Sequence, residues 1–361
     1  MNKITLLKSV DKVVGKFLVS LLDKKARPER TPRDINSILI IRPGGIGDAV
    51  LLLPAIRALK SRFPEASIDV LCEKRNAGIF GLTEDIDHVY LYDKGSEIFR
   101  CLRNKYDVVI DTEQWHRLSA VIAYLAGARA RIGFDTNERR KLFTHTVSYS
   151  HDDYEADSFL HLVSPLTGEV RTFQPDEPFI KISAHVPAGL LPASGRKLIA
   201  IFPGASVAER RWGGEKFGKL AKILCDKGYD IAVLGSSADR GDADEIRHLL
   251  PGCIDLAGKT SLKEVAAVLK NCRLLISADS GILHIAYGVG TSTVSLFGSG
   301  IEKKWAPRGR NHIVLNKRLP CSPCTRFGYT PRCRNDFECI TSVNPAEVAK
   351  AVETILAPPS R

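Results

Sequence analysis

The stretch ILIIRPGGIGDAVLLLPAIRAL, residues 38–59, decides the fold. An unbroken apolar run, Ile38 to Ile41, precedes a glycine-bearing loop, and a largely apolar helix-like segment follows it. A strand buried on both faces of a parallel sheet reads as such a run rather than as an alternation. Strand, tight loop and helix in that order open a βαβ unit. Gly44, Gly45 and Gly47 let the backbone turn sharply and approach a ligand closely. Their spacing meets neither the GxGxxG fingerprint nor the GK[ST] of a P-loop. Asp48 stands where the helix begins. A carboxylate there suits a helix cap and the helix dipole. Facing a ligand cleft, it also suits a general base.

Outward from this block the pattern repeats. SIDVL, HVYLY and DVVID read as strands, with helices over Ala49–Phe63 and Arg117–Leu125. Between 171 and 196 the text is Pro-rich and loses periodicity, which marks a domain boundary. LIAIF, DIAVLG, IDLAG, LLISAD and TVSLFG then resume the strands, with helices at 214–226, 239–250, 261–270 and 281–288. NPAEVAKAVETIL reads as a closing helix with Asn344 as N-cap and Pro345 in its first turn. The expected class is α/β, with two Rossmann-like doubly wound domains. Residues 1–36 form a basic amphipathic helix and linker, 37–180 the first domain, 181–343 the second, and 344–361 the closing helix.

Composition agrees. Of 361 residues, 44% are hydrophobic and 26% charged, which excludes a disordered or collagen-like chain. No apolar stretch of about 18 residues lacks charge, so no transmembrane helix is expected. The net charge of +11 is uneven. Residues 1–36 carry nine Lys/Arg against four acids, residues 300–339 carry nine against three, and the rest nets zero. Basicity in two segments points to local anionic partners and not to nucleic acid. Four of the nine cysteines fall between Cys321 and Cys339. The odd count, and a lysine-interrupted start that does not read as a signal peptide, point to the reducing cytosol.

In that start, Leu6, Leu7, Val10, Val13, Val14, Phe17, Leu18, Leu21 and Leu22 recur at helical spacing, opposite Lys8, Lys12 and Lys16. Such a helix can lie in an anionic membrane interface or pack on protein. The loops after strands hold the candidate site residues, because ligands of open α/β sheets bind there. IFPGASVAERRW, residues 201–212, offers Ala205, Ser206 and Arg210 as a diphosphate cradle. LLISADSGILHIAYGVGTSTVSLFG, residues 274–298, places Asp279, Ser280, Gly281 and His284 at a strand end and helix start. Asp239 could accept ribose hydroxyls, and Thr260 could contact a base. Arg42, Gly44, Gly45, Trp115, His116 and Arg117 end first-domain strands and are acceptor-side candidates. Cys321, Cys324, Cys333 and Cys339 suit a structural zinc or iron, free redox thiols or disulfides.

Taken together, these blocks resemble glycosyltransferase family 9, the bacterial heptosyltransferases of the lipopolysaccharide inner core. The resemblance covers most of residues 37–345 and includes the CSPC…CI tail. It implies a GT-B fold, two domains facing a central cleft, and inverting, metal-independent transfer from a nucleotide sugar, ADP-heptose by default. Asp48 matches the family's catalytic aspartate. Ala205, Ser206, Arg210, Asp239, Thr260, Asp279, Ser280, Gly281 and His284 match donor-binding positions, with Arg210 where a lysine is common. No DxD motif stands at a strand end, and DDYEAD at 152–157 reads as a polar connection. No catalytic cofactor is expected. The implied acceptor is a lipid A-core or similar anionic glycolipid at the inner membrane surface, reached by a cytoplasmic, peripheral enzyme. The other readings are a GT-B nucleotide-sugar epimerase or hydrolase, and a non-catalytic nucleotide-sugar-binding subunit.

Overall fold

The computed structural model describes residues 11–22, 32, 34–183, 186–187, 189–192 and 194–357. The chain divides into two compact units between Phe173 and Gln174. That division falls earlier than the expected one at 180/181. The reason is local: the N–H groups of Phe179 and Ile180 both donate to Gly288 O, and both side chains are buried with the second unit.

Unit 1 holds one six-stranded parallel sheet, β1 (Ser37–Arg42), β2 (Ser67–Cys72), β3 (His88–Leu91), β4 (Val108–Asp111), β5 (Ala130–Phe134) and β6 (His145–Val147). The strand order is β3-β2-β1-β4-β5-β6. Unit 2 repeats the design with β7 (Leu198–Phe202), β8 (Asp230–Val233), β9 (Ile254–Asp255), β10 (Leu274–Ala278), β11 (Ser292–Phe297) and β12 (His312–Asn316), in the order β12-β11-β10-β7-β8-β9. Both are the doubly wound order, in which the chain reverses direction across the sheet beside its first strand. Ile38 pairs with Ile68 on one side and Val108 on the other, and Ile199 pairs with Ile231 and Leu274. The reversals therefore lie between β1 and β4 and between β7 and β10.

The apolar runs explain these placements. Ile38 to Ile41 and Leu274 to Ile276 are all at most 1% exposed, because helices cover both sheet faces. Each such side chain contributes about 1.5–3 kcal/mol by leaving water. Helix Ile46–Arg62 buries most of its circumference between the sheet and helix Glu155–Thr167. The second of these helices corrects the reading of DDYEAD: Glu155 opens a helix and is 0% exposed. Helix Pro345–Leu356 belongs to the unit 2 core through Val348, Ala349, Ala351 and Val352. Asn344 caps it, accepting from Glu347 N while Glu347 accepts from Asn344 N.

Of the basic N-terminal helix, Asp11–Leu22 is helical, and Leu6, Leu7, Lys8 and Val10 lie outside the described residues. Its apolar residues divide between two faces. Val19 is 1% exposed and packs with Leu18 and Leu22 on unit 1, while Val13, Phe17 and Leu21 face solvent at 72%, 67% and 60%. No helix among the described residues is long and apolar enough to cross a membrane.

Candidate active site

At the β1/β4 reversal, Arg42 ends β1 with its side chain 2% exposed. One guanidinium nitrogen donates to Thr112 O at 2.9 Å, just past the end of β4. The other donates to Asp48 Oδ2 at 3.2 Å. Gly44 makes room for it: with φ +115°, a Cβ there would stand 2.9 Å from Arg42 Nη2. Burial works against the Arg42 charge, yet Asp48, Glu113 and Glu155 outweigh it and hold the guanidinium above its usual value. Asp48 lies in the first turn of helix Ile46–Arg62, whose N-cap is Gly45. Its carboxylate is partly exposed and turned to Arg42, so it is not the N-cap.

The loop after β4 is built on Glu113. Its buried carboxylate accepts the N–H groups of Gln114, Trp115 and His116. Burial raises Glu113, but His116, Arg42, Arg139 and the Trp115 amide outweigh it and leave its carboxyl below the usual range. Glu155 accepts from Gln114 Nε2 and from Tyr149 OH. Burial, Glu155 and Asp48 together push the Tyr149 phenol far up, so it stays a donor. Gln114, Tyr149 and Glu155 thus gather around the Arg42–Asp48 pair, and the sequence reading did not name them.

Two acceptor-side candidates instead anchor the N-terminal helix. Asp11 Oδ1 accepts from the amides of Arg117 and Leu118, capping helix Arg117–Leu125 from far upstream. His116 Nδ1 lies 3.5 Å from Asp11, and Arg117 pairs with Glu138 at 2.7 Å. Arg42 is likewise internal. Trp115 remains partly exposed at 37%.

At the β7/β10 reversal, Arg210 Nη1 lies 2.9 Å from Asp279 Oδ2. Asp279 is 5% exposed and follows β10. Ser280 caps helix Gly281–Gly288, accepting from Leu283 N. The helix start leaves backbone N–H groups for an anion, and His284 lies buried one turn in. Gly300, after β11, has to be glycine, since a Cβ would fall 2.0 Å from Asp279 Oδ2. The hydroxyls of Thr260 and Ser299 and the Arg210 Nε are buried with no hydrogen-bond partner among the described residues. Buried polar atoms are normally paired, and Arg42 Nε and Arg139 Nη1 in unit 1 are left in the same state. Ala205 and Ser206 lie in the loop after β7.

Asp239 is already occupied by the protein. One oxygen accepts from Ser236 N and Ser236 Oγ, closing a capping box, and the other lies 3.5 Å from Arg211 Nη2. Arg211 also donates to Ala205 O and Asp242, so it braces the loop after β7. The cysteines are all free thiols. Cys333 Sγ accepts from the amides of Asn335 and Phe337, and Cys321 Sγ from Asn335 Nδ2. Burial first, then the other three thiols, pushes Cys339 up to about 11. Still, no three His, Cys, Asp or Glu side chains among the described residues are grouped to hold a metal ion, so the expected structural zinc or iron finds no assembled ligand set here.

Each of the two open α/β sheets thus carries a polar, charge-bearing cluster at its reversal, the place where ligands of such sheets bind. The sequence profile of Glycosyltransferase family 9 (heptosyltransferase) matches residues 96–331, and the chain belongs to that family. It is 29% identical to lipopolysaccharide heptosyltransferase 3 of Escherichia coli, over 74% of this chain and 85% of that one. It is 27% identical to lipooligosaccharide heptosyltransferase 2 of Haemophilus ducreyi, over 77% and 88%. Its fold is like that of E. coli ADP-heptose lps heptosyltransferase II, with a TM-score of 0.71 at 21% identity, over 89% and 98%. The protein is therefore a glycosyltransferase, which favours sugar transfer over the epimerase, hydrolase and non-catalytic readings.

The Arg42–Asp48 contact makes a direct prediction. Arg42→Met removes this contact to the Asp48 carboxylate; if Asp48 is a reacting group, misplacing it costs about 10- to 100-fold in rate. Steady-state kinetics should show kcat falling by that order with donor KM little changed. Arg42→Lys, which keeps charge but cannot bridge Thr112 O and Asp48 together, should fall between. Wild-type kcat in Arg42→Met would contradict the assignment.

Proposed function

We propose that the protein transfers heptose from ADP-heptose to a lipopolysaccharide-core or related lipid-linked saccharide, by a single inverting displacement that needs no metal. The observation that carries this reading is the Asp48 carboxylate held by buried Arg42 at the β1/β4 reversal of a family 9 glycosyltransferase. Asp48 takes the proton of the acceptor hydroxyl as its oxygen attacks the anomeric carbon. The bond from that carbon to the diphosphate oxygen breaks, and the electron pair leaves with the diphosphate. Arg210, the N–H groups at the start of helix Gly281–Gly288, and the Ser280 region meet the developing charge. Ala205, Ser206 and Thr260 complete the donor side, and Trp115 stands on the acceptor side. In this reading Asp239 supports the donor loop through Ser236 and Arg211 and does not need to meet the ribose.

Donor identity follows from the heptosyltransferase names of the relatives and from the family. Binding of ADP, UDP, GDP and dTDP, measured by calorimetry, tests it. ADP should bind at least about tenfold tighter than the others. A preference for another nucleotide would overturn the ADP-heptose assignment.

The acceptor is a lipid, so the enzyme works at a membrane surface, and the exposed Val13, Phe17 and Leu21 beside Lys16 supply the contact. The Phe17→Ser/Leu21→Ser variant should lose most of its co-sedimentation with phosphatidylglycerol vesicles, and added salt should weaken wild-type binding too. Undiminished partitioning of the variant would sink this role for the helix.

A further inference from the structure

The cysteine-bearing segment, 321–339, is tied to the loop that follows β11. Ser322 Oγ donates to Gly298 O, and the amides of Cys324 and Thr325 both donate to Ser299 O, at 3.1 and 3.0 Å. From the other side, a Cβ on Gly298 would stand 2.7 Å from Cys339 Sγ. The loop after β11 is thus clasped between the two halves of the segment. That same loop carries the buried, unpartnered Ser299 hydroxyl, and it carries Gly300, which admits Asp279.

A second link is direct. Thr325 is 0% exposed. Its hydroxyl lies 3.5 Å from Arg210 Nη2 and 2.9 Å from the Thr330 hydroxyl. The other end of the same guanidinium is 2.9 Å from Asp279. Arg210 is therefore suspended between a strand-end carboxylate and a hydroxyl supplied by the cysteine segment. Long arginine side chains sample many rotamers, and tethering both nitrogens fixes the direction in which the remaining N–H groups face. The Arg210 Nε is itself buried and has no hydrogen-bond partner among the described residues.

We propose that Thr325 is a positioning residue for the donor diphosphate, holding Arg210 beside Asp279, so that the cysteine-bearing segment forms a working wall of the donor site. This rests on the donor reading above. The segment's four thiols then act as a support for that wall, and Thr330 holds the Thr325 hydroxyl in place.

The test is calorimetric titration of the full-length protein with ADP, inorganic pyrophosphate and adenosine. Thr325→Val keeps the shape and removes the hydroxyl. Its affinity for ADP and for pyrophosphate should fall about three- to tenfold, the size of one ordinary net hydrogen bond, while adenosine binding is unchanged. Thr325→Ser should restore the loss, and Thr330→Val should produce a smaller one in the same two ligands. In turnover, Thr325→Val should raise donor KM with the thermal midpoint kept. Equal ADP affinity in wild type and Thr325→Val overturns the proposal, as does a loss shared by adenosine. If Thr325→Val fails to fold, Thr330→Val with unchanged pyrophosphate affinity overturns it. Failure of the wild type to bind ADP or pyrophosphate at all would instead refute the donor reading itself.

Discussion

The chemistry proposed for unit 1 depends on one buried cation. Arg42 leaves the apolar strand β1 and is enclosed at 2% exposure, where an unpaired charge would cost several kcal/mol. It is tolerated because Thr112 O and the Asp48 carboxylate receive it, with Glu113 and Glu155 close by. The requirement runs both ways. The guanidinium needs these acceptors to be buried, and Asp48, six residues later, is held by the guanidinium. Asn76 adds a tie by donating to Arg42 O at 3.1 Å, which holds the strand end itself. Gly44 then follows from Arg42, since no side chain fits against Nη2.

Unit 2 solves a related problem with the same strand order. There the charge pair is Arg210 with Asp279, again at the sheet reversal, and again a glycine, Gly300, is required by the carboxylate it faces. Neither cluster is fully matched: the Nε of Arg42 and the Nε of Arg210 are both buried with no hydrogen-bond partner among the described residues.

Much of this was legible in the residues. Runs such as Ile38 to Ile41 and Leu274 to Ile276 announced parallel strands, and the loops after them held Asp48, Arg210 and Asp279. Two of the four edge strands, β6 and β12, were not legible. β6 spans three residues and β12 is only half-buried along its length, so neither carries an unbroken apolar run. β5 has Arg131 and Gly133 in its text. Ser236-x-x-Asp239 is a capping box in the local sequence, which explains why that carboxylate is engaged. Contacts distant in sequence leave no local trace. Asp11 capping helix Arg117–Leu125, Glu155 beside Gln114, and Thr325 beside Arg210 arise only once the sheets bring those segments together.

The account's central claim is a division of labour, with the base in unit 1 and the donor in unit 2. Asp48→Asn tests it most directly, measured as sugar transfer to a lipid-linked acceptor alongside ADP affinity. Loss of a general base costs about 10²- to 10⁴-fold. The account predicts a fall in kcat of that order with ADP binding intact. Transfer at the wild-type rate would contradict it.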